Sequence, residues 1–323
     1  MQTRAFTFLL LAASSAPALF GDVTVRSRNT IRFGAIIPAP VAERTSNGNL
    51  ATVPESTVRY RKGSREYLKS GKFACLLDFG KQKITIIDAG NKTFATVAMK
   101  DYGDRLARAM PGVPQEFRDA QQSAKTTLSS RKTGRTDVIQ GVPVEETEIA
   151  VSLELPVPTA DGKIRTEPVV KVAIQVWMAK PAKAPPIPAV RELTAHSMSN
   201  PRFSQWIDPA NILVTVFGAM PGLGDGLSQM FQEVEKSKSP VFKWHLEASM
   251  PGMAAALQNM QKQQGRALPD GLDPNAPFSV VDSEVVELST APVDDAVFQV
   301  PADYHAAPFE DVVKSVSPSF PKS

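Results

Sequence analysis

Three histidines, His196, His245 and His305, are the side chains in this sequence best suited to binding a metal ion or moving a proton. Histidine ligands usually occur at close spacings, such as four residues apart on one helix, or together with cysteines. These three are scattered along the chain, so we predict no metal site. His245 is expected on the polar side of a strand, opposite Phe242 and Trp244.

A glycine-rich stretch, GLGDG at residues 222–226, resembles part of the dinucleotide-binding fingerprint G-x-G-x-x-G. Its third glycine comes one residue early. The apolar stretch before it is expected to be a helix, because Asp208 and Pro209 form a good helix start. We therefore interpret 222–226 as a hinge between two helices. The sequence also lacks the P-loop pattern and the G-x-S-x-G nucleophile elbow, so no cofactor is predicted and the chain is not expected to be an enzyme.

Cys75 is the one cysteine of the chain, which excludes an intramolecular disulfide. It lies in the apolar run FACLL at residues 73–77. Two interpretations stay open. The one we favour is a small buried hydrophobic side chain, and the other is a reactive thiol or an intermolecular bridge.

The charges of the chain are nearly balanced, with 36 Lys and Arg against 33 Asp and Glu. A balance so close to zero offers no footprint for nucleic acid. The basic residues within 59–65 are expected to form a solvated strand face and a turn. Glu146 and Glu148 are two residues apart and share one face of a strand, and we expect both to be solvated.

The first 18 residues have the order of a secretory signal peptide. Arg4 is followed by an apolar run, and Ala16-Pro17-Ala18 supplies a cleavage pattern of small residues. The run is too short to span a bilayer, which needs about 20 residues. No later apolar stretch approaches that length, so no integral membrane span is predicted. We expect a periplasmic or secreted protein; a buried N-terminal helix is the alternative.

The periodicity of the mature chain favours a β-rich fold. Short alternating runs, punctuated by glycine and asparagine, predict β-hairpins over residues 57–97, and alternation returns at 126–155, 170–178 and 241–250. A helical period appears at 100–125 and again from 208 to 234. Hairpins and helices follow one another in groups, which indicates an α+β domain with an antiparallel sheet and helices on one face. We expect one domain over residues 19–305, with a mobile insertion at 251–276 and a disordered tail at 306–323.

Methionines cluster around the two helical regions, for example Met220, Met230, Met250, Met253 and Met260. Methionine is flexible and suits surfaces that hold varied apolar partners, but it also fills gaps in an ordinary core. Both interpretations stay open. If the helices line a cavity under the sheet, the candidate lining residues are Phe73, Leu77, Val172, Ile174, Phe217, Met220, Met230 and Trp244.

Four segments resemble, in a fixed order, a bacterial exported family of unknown function. They are residues 56–99, with the hairpins from STVRYRKGSREYL to FATVAM; 132–151, KTGRTDVIQGVPVEETEIAV; 171–181, KVAIQVWMAKP; and 295–304, DAVFQVPADY. That family is similar in pattern to the LolA-like lipoprotein-carrier fold. The resemblance implies a curved, open antiparallel β-sheet (a half-barrel) with helices packed on its concave face, which can hold acyl chains. It carries over no catalytic residue.

These observations lead to two functional expectations. The first is an exported carrier or binding protein for a lipid or an acylated protein, since apolar pockets with few polar groups suit acyl chains. The alternative is a non-catalytic interaction module of the cell envelope that docks a partner through an exposed sheet edge. The sequence leaves the oligomeric state and the identity of any ligand open.

Overall fold

The computed structural model describes residues 21–33, 56–109, 125–158, 164–180, 223–237, 239–251, 276–277 and 279–316. The predicted signal peptide, the helix expected from residue 208, and nearly all of the insertion predicted at 251–276 lie outside these ranges. Within them, no helix is both long enough and apolar enough to cross a membrane.

Twelve strands form one open sheet. Their order across the sheet is β12-β6-β5-β4-β3-β2-β1-β11-β10-β9-β8-β7. All neighbours are antiparallel except β12 and β6, so the antiparallel sheet predicted from the alternation is confirmed. The strands are β1 (Val23–Phe33), β2 (Ser56–Lys62), β3 (Arg65–Ser70), β4 (Phe73–Asp78), β5 (Lys83–Asp88), β6 (Thr93–Ala98), β7 (Lys125–Ile139), β8 (Val142–Pro158), β9 (Ile164–Ala179), β10 (Val241–Ser249), β11 (Ser279–Ser289) and β12 (His305–Ala306).

Strands β2 to β6 form a meander of tight hairpins. Buried side chains recur at every second position of β3, as a sheet covered on one face requires, whereas β4 and β5 also bury Ala74 and Ile87 on the other face. The turns contain residues with positive φ, which glycine adopts without steric cost: Gly63 has φ 55° and Gly71 has φ 59°. The turn chemistry and the alternation together fix which residues face each other across this part of the sheet.

Strand β1 joins the meander to the long strands. It pairs with β2 on one side and with β11 on the other, although β11 lies about 250 residues later in the chain. Its pairing with β11 is interrupted by an irregularity between Arg26 and Ser27. Because β11, β10, β9, β8 and β7 then follow in order, the sheet continues without a break from the first hairpins to the long strands.

The α-helices of the described residues are α1 (Tyr102–Ala109), α2 (Leu223–Lys236) and α3 (Phe309–Val316), and short 3-10 helices lie at Met99–Asp101 and Asp295–Phe298. Helices α1 and α3 pack on each other, and α3 also packs on β5 and β6. The Tyr102 and Phe309 rings meet edge to face with centroids 5.8 Å apart. Helix α2 packs instead on β7 and β8, at the other end of the sheet.

Two large apolar clusters lie under these helices. The meander cluster joins α1 and α3 to β3–β6 and consists of Leu68, Cys75, Leu77, Ile84, Ile86, Ala95, Val97, Met99, Tyr102, Ala109, Phe309, Val312 and Val313. The long-strand cluster joins α2 to β8–β11 and consists of Ile149, Val151, Leu153, Val170, Val172, Ile174, Val176, Met230, Trp244, Leu246, Ala248 and Val281. A smaller cluster surrounds Phe242 and Val144.

The tail predicted to be disordered from residue 306 contains helix α3, so that prediction is wrong for residues 309–316. Phe309, Val312 and Val313 are spaced by three and four residues, which places them on one helix face, and all three are buried. Residues 317–323 lie outside the described ranges. The expected hinge at 222–226 is also wrong for its described part, because α2 already begins at Leu223.

Candidate functional site

A buried group of charged side chains lies near the middle of the sheet. Arg61 on β2 is directly opposite Glu66 on β3. The Arg61 Nε atom is 2.9 Å from Glu66 Oε2, and the Arg59 Nε atom is 3.1 Å from Glu66 Oε1. Arg61 is only 3% exposed and Glu66 only 6%. One carboxylate is therefore shared by two guanidinium groups, so this charged trio carries a net charge of +1.

The prediction of a solvated strand face at 59–65 is wrong for Arg61. The residue opposite Arg61 on β1 is Val23, which is fully buried. The residue opposite Glu66 on β4 is Leu77, which is also buried. Residues directly opposite each other share a face of the sheet. The signal that could have revealed the pair is the short turn at Gly63, because a hairpin closing there aligns Arg61 with Glu66.

Arg61 has fewer partners than its burial requires. Its Nη1 atom is buried without a hydrogen-bond acceptor in the described part of the chain, while Nε lies 2.9 Å from Glu66 Oε2 in the ion pair. Burial is the main cause that lowers the pKa of Arg61, with Arg59 adding to it and Glu66 opposing it. A buried donor without an acceptor costs about 1–3 kcal/mol.

Small polar side chains continue from this trio as a polar band, which we define as the trio with Asn29, Thr57, Ser70 and Ser283. All four are buried, and Asn29 Nδ2 donates to Thr57 Oγ1 at 3.4 Å. Arg59 faces Leu68 of the meander cluster, whereas Ser283 faces Trp244 of the long-strand cluster. The polar band therefore lies between the two large apolar clusters.

The predicted cavity residues are divided between the two clusters. Leu77 belongs to the meander cluster and the half-buried Phe73 packs against it. Val172, Ile174, Met230 and Trp244 belong to the long-strand cluster, where they contact other side chains of the protein. Phe217 and Met220 lie outside the described residues. The six described candidates thus line two separate packed regions on either side of the polar band.

Cys75 is buried in the meander cluster, in agreement with the interpretation as a small hydrophobic side chain. Burial, together with the nearby Glu66 carboxylate, raises the pKa of the thiol well above its ordinary value. Since the thiolate is the nucleophile and the metal ligand, this environment keeps the sulfur in its unreactive form.

A second group of polar side chains surrounds His245 on β10. Its Nδ1 atom lies 2.6 Å from Asp282 Oδ1 and its Nε2 atom lies 3.1 Å from Glu247 Oε1. Arg32 Nη2 donates to the other oxygen of Asp282 at 2.9 Å. Burial works against the charged imidazole, but the hydrogen bonds to both carboxylates outweigh it and raise the pKa of His245. No three metal-ligating side chains of the described residues come together to hold a metal ion.

The expectation that Glu146 is solvated is wrong, because its side chain is completely buried. The Arg135 guanidinium of β7 reaches across to Glu146 Oε1 and pairs with it. The neighbouring Glu148 accepts two hydrogen bonds from Arg131 at 3.1 and 3.0 Å. Alternation places both carboxylates on one face, but it does not show that arginines of the next strand cover them.

Strand β7 forms one edge of the sheet among the described strands. It is 15 residues long and most of its side chains are exposed. Val138 near its end is 64% exposed, unusually high for a large apolar side chain. An edge strand presents unpaired backbone N–H and C=O groups along its outer side.

No protein-family model matches this chain, and no curated protein matches it either. Two features of the described residues can take part in binding. They are the polar band between the apolar clusters and the exposed edge at β7.

Proposed function

We propose that this protein is an exported, non-enzymatic carrier or binding protein for a lipid or an acylated protein of the bacterial cell envelope. The observation that supports it best is the placement of the helices, which lie against apolar clusters at both ends of one large open sheet. Such a layout provides two apolar regions on one large open sheet, and either of them suits an acyl chain better than a compact polar substrate.

The register of the strands supports a common face for both clusters. Leu68 faces Arg59, and Arg59 faces Val25 on β1. Asn29 lies four residues further along β1, on the same side as Val25. Asn29 in turn faces Ser283, which faces Trp244. The meander cluster and the long-strand cluster accordingly occupy the same side of the sheet, with their helices over them.

The number of strands favours a curved sheet. Neighbouring strands are rotated by roughly 20–25° on average, and strongly twisted open sheets rarely exceed about 10 strands without curling. Twelve strands with helices on one side fit a half-barrel whose concave face holds the helices. This architecture is the one that the resemblance to the LolA-like lipoprotein-carrier fold implies.

The proposed location outside the cytoplasm depends on the signal-peptide pattern of residues 1–18. A carrier of the cell envelope needs such export, and it would meet lipids and acylated proteins there. Amino-terminal sequencing of the protein purified from its own host would show a new start just after Ala18. An intact Met1 on the mature protein would contradict export.

Native mass spectrometry of protein purified from its own host tests the carrier function. We expect additional masses that match lipids and that disappear when the protein is extracted with organic solvent. The extracted protein should then bind a fluorescent fatty acid with saturation. Repeated ligand-free spectra, together with no binding of the fluorescent fatty acid, would rule out the proposal.

The length and exposure of β7 favour a second candidate, an interaction module that pairs an extended segment of a partner protein with this edge. A photo-crosslinking residue in place of Val138 should then capture a partner in intact cells. The matched control replaces Asp104, which is exposed on α1. Capture from both positions, or from neither, would count against docking at the edge.

A further inference from the structure

A strap of the chain crosses the outer face of the meander, which is the face opposite to α1 and α3. We define the strap as residues 291–304, which connect β11 to β12. Arg65 lies on the outer face, since its neighbour Glu66 lies on the face of the meander cluster. The Arg65 guanidinium pairs with Asp295 of the strap and lies 4.8 Å from the centroid of the Phe298 ring. One end of the strap is therefore anchored on β3.

The strap ends at the other side of the meander, beside β6. His305 N donates to Lys92 O at 3.0 Å, and β12 then pairs with β6. Strands β4 and β5 lie between β3 and β6, so the strap has to pass them to join its two anchoring points. Ala74 on β4 and Ile87 on β5 face each other on the same side as Arg65, and both are buried. Their burial agrees with a strap that crosses the outer face.

The strap and the meander carry opposite charges. Residues 56–101 contain ten Lys and Arg but only four Asp and Glu, whereas the strap contains three Asp and no Lys or Arg. Asp295 and Asp303 of the strap both form ion pairs with cations of the meander. These cations are Lys62, Arg65 and Lys92. The near balance of charge in the whole chain therefore conceals a basic meander that is covered by an acidic strap.

The strap is held mainly by weak contacts. Asp295 and Asp303 are 60% and 59% exposed, and ion pairs of such exposed side chains are weak and screened by salt. Val293 is the only buried residue of the strap. Its N–H donates to Asp22 Oδ2, and its carbonyl accepts from Lys62 Nζ, both at 2.7 Å. Because the pairing of β11 with β1 does not involve the strap, the strap can open while the sheet stays folded.

We infer that the strap is an internal ligand on a docking surface of the meander, and that an extended acidic segment of a partner protein displaces it from there. The strap itself shows which chemistry this surface accepts, since its carboxylates meet the basic side chains of the meander. The inference goes beyond the carrier function and does not depend on it.

The outer face also offers apolar contacts to such a segment. The rings of Tyr60 and Tyr67 stack there with their centroids 6.2 Å apart. Burial is the main cause that raises the pKa of Tyr67, and Tyr304 of the strap adds to it. The aromatic residue at the end of the strap therefore lies near this pair of rings. A partner segment with an aromatic residue close to its acidic residues would find the same contacts.

The edge of β6 gives a partner an advantage over the strap. Strand β12 pairs only with Thr93 and Phe94, the first two residues of β6. Among the described strands, none pairs with the outer edge of β6 beyond them. A longer extended segment could add main-chain hydrogen bonds along this remaining edge, as strand addition does elsewhere. The strap has the opposite advantage, because its attachment to the chain gives it a high effective concentration at the surface.

Fluorescence anisotropy on the full chain tests the inference with a labelled peptide that copies residues 291–307. The variant Asp295→Asn/Asp303→Asn weakens the strap and leaves the basic surface intact. We expect it to bind the peptide about ten-fold more tightly than the wild type does, because the competing strap has lost its ion pairs. A scrambled peptide of the same composition should bind both proteins equally weakly.

Glu284→Gln is the matched control, since Glu284 is an exposed carboxylate that pairs with Lys243 on β10, away from the strap. It should bind the peptide as weakly as the wild type does. Hydrogen exchange without peptide checks that the double substitution acts on the strap. Residues 291–304 should exchange several-fold faster in the double variant, whereas β9 should exchange as in the wild type.

Three outcomes would overturn the inference. The first is a faster exchange of the strap without tighter binding of the peptide, which would show that the strap is only a structural connection. The second is an unchanged exchange of the strap, since its ion pairs would then not hold it in place. The third is equal binding of the scrambled and the copied peptide, which would reduce the surface to a general attraction for acidic chains.

Discussion

Gly226 of α2 faces Val151 of β8 so closely that a β-carbon on the glycine would lie 2.6 Å from Val151 Cγ1. It would also lie 2.6 Å from Thr126 Cγ2 on β7. Real β-carbons do not approach neighbouring atoms to that distance. The glycine therefore allows the first turn of α2 to lie directly on the sheet. This close packing explains why a glycine is found at this position, which we predicted to lie in a hinge.

Replacing Gly226 with alanine should consequently destabilise the protein by about 1–3 kcal/mol, the usual cost of overpacking a core. Chemical denaturation followed by circular dichroism measures this change. Gly103→Ala is the control, because Gly103 lies in α1 and a β-carbon there meets no atom within 4 Å. Alanine at that position should be neutral or stabilising by up to about 1 kcal/mol. Equal effects of the two substitutions would contradict the close packing of α2.

Helix α3 should contribute to the stability of the whole fold. Phe309→Ala removes a buried ring that packs against Tyr102, and comparable substitutions cost about 3–5 kcal/mol. The melting temperature should fall accordingly. Lys314→Ala on the exposed side of the same helix should have little effect. An unchanged melting temperature for Phe309→Ala would mean that α3 is not part of the folded core.

His245 should make stability depend on pH around neutrality. Because the hydrogen bonds of the folded protein raise the pKa of His245 above 6.5, its stabilising contribution is fully present below that value. The contribution is lost as the pH rises through the folded pKa. We expect the wild type to be more stable than His245→Gln by about 1 kcal/mol or less at pH 5.5. This difference in stability should be smaller at pH 8.5.

Thermal melts of both proteins across that pH range measure the effect. His305→Gln serves as the control, since His305 is exposed on β12. The His305→Gln variant should differ little in stability from the wild type. A gap between the wild type and His245→Gln that widens with rising pH would show that the carboxylates do not hold the charged imidazole.

Asp88 should make the stability of the protein depend on pH in the acidic range. Burial works to raise the pKa of Asp88, but hydrogen bonds from Ser315, Asn91 and Gly90 outweigh it and lower the pKa below 3.8. The stabilisation is therefore present above 3.8 and is lost as the pH falls through the folded pKa.

At pH 7, Asp88→Asn should cost about 1–3 kcal/mol, because the carboxylate accepts from Gly90 N at 2.8 Å and from Asn91 Nδ2 at 2.7 Å. The difference from the wild type should shrink in acid below the folded pKa. Urea denaturation at pH 7 and at low pH gives both values. Asp104→Asn, on the exposed side of α1, is the control. A cost that does not change with pH would refute the role of the charge.

The strands could be predicted from the sequence because their alternation and turns are local signals. Thr85 and Thr96, for example, lie on neighbouring strands of the predicted meander, and their hydroxyl groups meet at 2.8 Å. The pairing of β1 with β11 could not be predicted, since no local pattern specifies a partner about 250 residues away. Helix α3 could not be predicted because its polar, proline-bearing surroundings outweighed a short stripe of four apolar residues, Phe309, Val312, Val313 and Val316.

The candidate site was harder to predict than the strands. Arginine on a strand usually reaches solvent, so burial of Arg61 depends on what surrounds β2 in three dimensions. His245 lies 37 residues before its partner Asp282, and only the pairing of β10 with β11 brings the two together. In contrast, burial of Cys75 follows from the apolar run around it, and the alternation at Val172 and Ile174 correctly places both in the core.

Helix α3 and strand β12 are made after every other described element, yet they lie on β5 and β6, which are among the first. The part of the apolar surface of β5 and β6 that α3 covers therefore lacks this cover until residues 305–316 are present. A premature stop codon shortly before residue 305 would remove α3 and β12, although every other described element would have been translated. Such truncated chains should aggregate or be degraded, so late nonsense mutations are expected to be as damaging as early ones.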